Sequence, residues 1–385
     1  MKKIIVICRD DSSITSTWSG IPFHIVRILK DFGHEVKVID KIGFPKSFMW
    51  RFQNLLGNFS KVFKPRYYST RTSKYYGKLL TDVVSKIEKD YDFVLAIDFI
   101  EGLPFFNTSL PVISYTDSNY QLLNKINYPG FESNDELFKR NIINIESIGF
   151  EKVDRVAFTS EWAINETISF FNTSESTKFE KLPFSAQTYP PLKKEDWSLR
   201  EIKKEEPIKF LFVGRDWERK GGLKAIEILE RIKSQGLNVS LTVVGCDPKI
   251  DLKGSIPIRV IENLDMKKDQ EREVLFDLYR ESHFFILPVT AEAFGIVFTE
   301  ALGFGLPVIA TNTCAIPEII EHKKEGFLID SYSEAGQDKV VKEVIEIIKN
   351  ENDYLKMQNS AFEKFELNFH PKAWVERLVE IYQRI

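Results

Sequence analysis

Thiols, histidines and long apolar runs are all scarce in this 385-residue chain, and each scarcity removes a class of protein. The three cysteines, Cys8, Cys246 and Cys314, lie far apart with no CxxC pair, which excludes a disulfide framework or a thiolate metal site. A reducing cytoplasm is the compartment this usage predicts. The five histidines, His24, His34, His283, His322 and His370, show neither HExxH nor His-x-His spacing, and no D-x-D stands out, so no metal site is expected. No window approaches the ~18–20 consecutive apolar residues of a membrane span, which leaves only peripheral membrane contact. The apolar run after Met1-Lys2-Lys3 stops at Arg9-Asp10-Asp11, too short for the core of a signal peptide, and reads as a first buried strand. No G-x-G-x-x-G follows a strand; Gly303-Phe304-Gly305 runs into Leu306-Pro307, which ends a helix, so a nicotinamide enzyme is disfavoured.

Acidic residues are missing altogether between Lys41 and Leu80, where Lys41, Lys46, Arg51, Lys61, Lys64, Arg66, Arg71, Lys74 and Lys78 stand unopposed. Phe44, Phe48, Trp50, Phe52, Phe59, Phe63, Tyr67, Tyr68, Tyr75 and Tyr76 are interleaved with them. Bases and aromatics in one segment suit the headgroup region of an anionic bilayer, where each base adds about 1 kcal/mol. A solvated helix face over core aromatics is the plainer reading; a nucleic-acid surface is not expected.

What is present in abundance is alternation. Short β-branched runs at 4–8, 35–39, 93–97, 112–115 and 155–158 are separated by stretches of helical period, the clearest at 21–32 before Gly33. A second series follows, with strands at 208–213, 240–244, 258–261, 284–287 and 308–310 and helices near 222–235, 269–281 and 296–304. The Pro- and Lys/Glu-rich stretch between them reads as a linker, and three helices at 332–349, 353–368 and 371–385 close the chain. The pattern predicts an α/β protein of two Rossmann-like domains with parallel sheets: 1–188, a linker 189–207, 208–368, and a terminal helix 369–385.

Chemistry concentrates in the second half. Ligands of such sheets gather beyond the carboxyl ends of the strands. The turn at Gly295 opens a helix whose first amides lack partners, a natural phosphate site. Glu292 precedes that helix and Glu300 lies within it, so the two carboxylates can serve one ligand of two linked parts, the second accepting from paired ribose hydroxyls. Arg215 and Lys220 sit where another strand gives way to a helix, where they can neutralise a leaving diphosphate.

The stretch Glu292-Ala293-Phe294-Gly295-Ile296-Val297-Phe298-Thr299-Glu300-Ala301, continued by Gly303 and Pro307-Val308, resembles the E-x7-E block of family 4 glycosyltransferases of the GT-B fold. Val213-Gly214-Arg215 with Lys220-Gly221 is similar to that family's diphosphate-gripping element, with Arg219 a possible substitute for its neighbour. Val243-Val244-Gly245 is similar to its V-V-G near the nucleotide, and 262–265 falls where its members hold the base. Donor contacts are therefore expected from Gly214, Arg215, Lys220, Gly245, Glu292, Phe294, Gly295, Ile296, Val297 and Glu300, with Glu292, Arg215 and Lys220 the catalytic set. The first half departs more. Ser19-Gly20 stands for a Gly-Gly turn, and Asp117 stands where many members carry an acceptor-side histidine; Gly20 and Asp117 are the expected acceptor-side residues.

The resemblance implies a retaining, metal-independent hexosyltransferase whose two domains, 1–188 and 208–368, face a cleft and whose terminal helix 369–385 crosses back to pack on the first domain. It would move sugar from a UDP- or GDP-sugar to a glycan or lipid-linked hydroxyl in envelope or polysaccharide synthesis, with no cofactor beyond the nucleotide-sugar co-substrate. Its expected place is the cytoplasm, at the inner membrane face where 41–80 contacts anionic lipid. A non-catalytic sugar- or nucleotide-binding protein and a nucleotide-sugar epimerase are the alternatives.

Overall fold

The computed structural model describes residues 1–14, 17–42, 69–131, 136–173, 176–188, 190–248 and 256–385. They divide into two compact units, the first Met1–Leu182 with Val375–Ile385 and the second Pro183–Trp374.

Unit 1 carries β1 (Lys3–Cys8), α1 (Ile21–Asp31), β2 (Glu35–Ile39), α2 (Thr70–Val84), β3 (Phe93–Ile97), β4 (Val112–Thr116), α3 (Tyr120–Lys125), α4 (Glu136–Lys152), β5 (Arg155–Phe158), α5 (Glu161–Phe171) and β6 (Phe179–Lys181). The strands form one parallel sheet in the order β2-β1-β3-β4-β5-β6. β1 and β3 read as near-continuous Ile/Val/Leu runs because helices cover both faces of such a sheet. Ser69, Asn119 and Ser160 accept the amides of Thr72, Leu122 and Ala163, which sets the starts of α2, α3 and α5. Tyr76 and Leu80 of α2 are fully buried in the core with Val94, Phe99 and Phe158. Of the basic aromatic stretch 41–80, Tyr76 is therefore core and Tyr75 packs against it, while 43–68 lies outside the described residues. The chain's end returns to this unit: Tyr382 of α12 (Pro371–Gln383) stacks on Phe93 at 4.7 Å, and Lys2 lies over the same Tyr382 ring at 4.6 Å.

Unit 2 carries β7 (Ile208–Val213), α6 (Gly222–Ser234), β8 (Val239–Val244), β9 (Ile258–Ile261), α7 (Asp269–Glu281), β10 (Phe284–Leu287), α8 (Ile296–Gly303), β11 (Val308–Thr311), α9 (Ile316–Ile319), β12 (Gly326–Ile329), α10 (Glu334–Lys349) and α11 (Glu351–Asn368). Its parallel sheet runs β12-β11-β10-β7-β8-β9, with phenylalanines at the centre, Phe210 stacked on Phe284 at 5.3 Å. Relabelled from its own first strand, this is the 3-2-1-4-5-6 order of dinucleotide-binding folds. The order reverses between β7 and β10, and crevices outside the strand ends open at such a reversal.

The stretch whose composition reads as a linker packs within unit 2. Trp197 lies on Phe362 at 4.8 Å, and the buried Arg200 guanidinium donates to the carbonyls of Phe304 at 2.9 Å and Gly305 at 2.6 Å. Gln358 accepts from the Arg200 amide and donates to its carbonyl. A few specific anchors outweigh the charged composition around them.

Candidate active site

The loops after β7 and β10, adjacent strands at the reversal, are tied together. The carbonyl of Arg219 accepts both the amide of Thr290 at 2.9 Å and its hydroxyl at 3.0 Å. Gly221, at φ +77°, lies so close that a Cβ there would stand 1.9 Å from the Pro288 carbonyl oxygen. With the backbones locked, the side chains meet. Lys220 Nζ donates to Glu292 Oε2, and Arg219 Nη1 donates to the same oxygen at 3.1 Å and to the Ala291 carbonyl at 2.9 Å. Burial pushes the Glu292 carboxyl up, but Lys220 and Arg219 outweigh it and hold the group below the ordinary glutamate range. Glu292 is therefore a fixed anion on which two cations are posed.

The other expected donor residues gather around this knot or along α8. Gly214 follows β7 and donates its amide to the Val244 carbonyl at 2.9 Å; a Cβ there would lie 3.1 Å from Lys220 Cγ. Gly245 follows β8 and abuts the Gly214 carbonyl. Gly295 caps α8 at φ +89°, and the amides of Ile296 and Val297 in its first turn lack intrahelical acceptors. Arg215 is exposed and has no partner among the described residues. It is Arg219 that grips Glu292, so Arg215 is the cation left open to a ligand. Phe294 is a packing residue by its side chain: the ring is buried edge-on to Phe184 at 5.3 Å and against Phe369 at 6.5 Å, so its backbone is what it can offer.

Glu300, one turn along α8, accepts from Tyr279 Oη at 3.1 Å, and the backbone amide of Gln187 is a second polar group acting on it. Burial pushes its carboxyl up to about 7 against these two groups. Neither Tyr279 nor Gln187 carries a sequence signal, since each is one polar residue inside an ordinary helix or loop. Among the described residues no three His, Cys, Asp or Glu side chains are grouped as a metal site.

In unit 1, Gly20 caps α1 at φ +81°, after Trp18 at φ +41° and Ser19 at φ +56°. Asp117 follows β4, and its Oδ1 accepts from Ser118 Oγ at 2.9 Å. This sheet reverses between β1 and β3, and polar groups unsuspected from the sequence stand there. Arg9 pairs with the buried Glu101 at 2.6 Å and donates to the Asp98 carbonyl at 3.4 Å. Behind them, buried Glu146 accepts the Tyr120 amide at 2.8 Å. Burial raises Asp98 to about 6, Glu101 to about 7 and Glu146 to about 8.

Two parallel six-stranded α/β units of this kind make the GT-B fold. The structure is similar to that of a glycosyltransferase from Rickettsia africae ESF-5, with a TM-score of 0.67 and 16% identity over 100% of this chain and 98% of that one. It is also similar to Anabaena Alr3699/HepE in complex with UDP and glucose, with a TM-score of 0.62 and 16% identity over all of both chains. Residues 193–364, which contain the whole knot and α8, match the family described as "Glycosyl transferases group 1". The amylovoran biosynthesis glycosyltransferase AmsK of Erwinia amylovora is 28% identical over 191 residues, 47% of this chain and 46% of that protein. The matched stretch thus spans about half the length of that curated relative.

Proposed function

We propose that the protein is a retaining, metal-independent glycosyltransferase that takes a sugar from a nucleoside diphosphate donor and places it on a hydroxyl of a glycan or lipid-linked acceptor in envelope polysaccharide synthesis. The observation that carries this reading is the Lys220–Glu292–Arg219 knot beside the N-terminus of α8, with Arg215 open next to it. Lys220 has three protons and gives one to Glu292; the others and the Arg215 guanidinium suit the donor diphosphate, with the amides of Ile296 and Val297. Glu292 orients hydroxyls of the transferred sugar, and Glu300 accepts from the ribose. The bond from the anomeric carbon to the donor phosphate oxygen breaks, and one from that carbon to the acceptor oxygen forms on the same face. The acceptor proton passes to a donor phosphate oxygen. Negative charge grows on the leaving diphosphate, where fixed cations and helix amides stabilise it without a metal.

The acceptor is taken up by unit 1, with Gly20 at the start of α1 and Asp117 at the end of β4, and segment 41–80 brings that unit to anionic lipid at the inner face of the membrane. Among the described residues no helix is long and apolar enough to cross one. The family match and the polysaccharide-building role in the name of AmsK support this reading. The test is transfer from labelled UDP-, GDP- and ADP-sugars to isoprenoid-linked and free oligosaccharide acceptors in chelator. Acceptor-dependent nucleotide release with retained anomeric configuration is expected; donor turnover to an epimer without acceptor would contradict it.

A further inference from the structure

The surroundings of Glu300 hold more than the ribose assignment uses. An ionised carboxylate offers about four acceptor positions. Here the Tyr279 hydroxyl fills one, which leaves more than the two that a vicinal diol needs. Among the described residues no cation pairs with Glu300. Its hydrogen-bonded orientation therefore rests on a neutral donor from α7.

Tyr279 is itself held rigidly. Its ring is fully buried, stacked on Phe304 at 5.0 Å with 2° between the planes, and on Phe285 at 6.0 Å with 24° between them. Phe304 is the residue that ends α8, and its carbonyl accepts from Arg200. The phenol that orients Glu300 is thus packed against the end of the helix that carries Glu300. Burial and the neighbouring carboxylate hold Tyr279 far above the usual phenol range, so it stays a donor at every working pH.

We propose that Tyr279 is a positioning residue for the donor: by fixing the Glu300 carboxylate it creates the receptor for the ribose 2′,3′-diol, and so selects ribonucleotide over deoxynucleotide donors. This rests on the donor reading given above. Tyr279 touches no ligand; it acts through Glu300.

The experiment is a binding cycle on the full chain in chelator, with UDP, GDP and ADP and their 2′,3′-dideoxy counterparts as probes. Wild type is expected to prefer one ribonucleotide over its dideoxy form. Tyr279→Phe, which keeps the stacked ring, is expected to weaken that ribonucleotide about tenfold, the loss of one hydrogen bond to a charged group. It should leave the dideoxy form unchanged and add nothing in a Glu300→Gln background. A second readout is pH. The preference for the ribose should fade as pH falls through about 7, and at a higher pH in Tyr279→Phe, because removing a donor makes Glu300 easier to protonate. The dideoxy nucleotide carries the same phosphates and corrects for their titration. Equal weakening of ribo and dideoxy probes would make Tyr279 merely structural and overturn the proposal, as would an unaffected ribonucleotide. Failure of every nucleotide to bind wild type would instead remove the donor reading itself.

Discussion

At the scale of single residues, the site contains cations with opposite energetic characters. Lys220 is part of the fold: its side chain is 11% exposed and neutralises a carboxylate that is 13% exposed. Lys220→Met leaves Glu292 with Arg219 alone and is expected to cost about 3 kcal/mol in denaturant melts, the scale for breaking a largely buried pair. Adding Glu292→Gln should recover part of that loss; a double variant no more stable than Lys220→Met would contradict the pairing. Arg215 is exposed and unpaired among the described residues, so Arg215→Ala should change stability by less than about 0.5 kcal/mol. Its kcat/KM should nonetheless fall about 10²–10³-fold, the cost of one charge-stabilising contact. Unit 1 supplies the pH prediction. A carboxyl raised by folding takes up a proton as the chain folds, so its contribution favours the native state at low pH and is lost as pH rises. Glu101 at about 7 and Glu146 at about 8 place that loss between about pH 5 and 8. Glu146→Gln keeps the acceptor for the Tyr120 amide and removes the charge. It should raise Tm at pH 8 by a few degrees and flatten the fall between pH 6.5 and 8; an unchanged slope would show that Glu146 does not titrate there. The sequence singled out Glu292, Lys220 and Arg215 as candidates because each stands at a strand-to-helix junction within a stretch similar to the family's motifs. It did not make their pairings legible: Lys220 and Glu292 lie 72 positions apart, and Glu300 and Tyr279 lie 21 apart. Nothing local marks Tyr279, Arg9 or Glu146, whose roles arise only when the sheets assemble.

At the scale of elements, the proposed site lies at strand ends, and close backbone contact places them. Gly221→Ala puts a methyl into the Pro288 carbonyl and strains a left-handed residue at once. It should cost more than about 2 kcal/mol, separate the two site loops and abolish nucleotide binding. Gly236, at φ +88°, has nothing within 4 Å, so Gly236→Ala bears only the backbone penalty of about 1–2 kcal/mol and should bind normally. Comparable loss of binding in both variants would show that stability alone, not loop contact, is being read. The long buried strands and the helices between them were readable from periodicity, to within a residue or two at most ends. The edge strands β6, Phe179–Lys181, and β12, Gly326–Ile329, were not, because three or four residues carry too little alternation. Within the stretch 189–207 that composition reads as a linker, Trp197 and Arg200 are single residues among charges, and it is their partners, Phe362, Phe304 and Gly305, that hold them on unit 2.

At the scale of the whole molecule, the two units are related in layer plan and different in strand order. Unit 2 has the dinucleotide-fold order and places cations at its reversal; unit 1 has β2-β1-β3-β4-β5-β6 and places buried carboxyls at its own. One unit thus gathers cations at its reversal, and the other presents Asp98, Glu101 and Glu146 beside the guanidinium of Arg9. The central claim is that unit 2 binds a nucleoside diphosphate sugar through Arg215, Lys220 and Glu300 without a metal. Its most direct test is thermal stabilisation of the chain by UDP-, GDP- and ADP-sugars and their free nucleotides in chelator, beside Arg215→Ala and Glu300→Ala. A ligand at ~100 times its dissociation constant stabilises by about 2.7 kcal/mol, a readily measured rise in Tm. The account predicts that rise for one base, diminished in both variants. No rise with any of the three, or a rise that both variants retain in full, would contradict it.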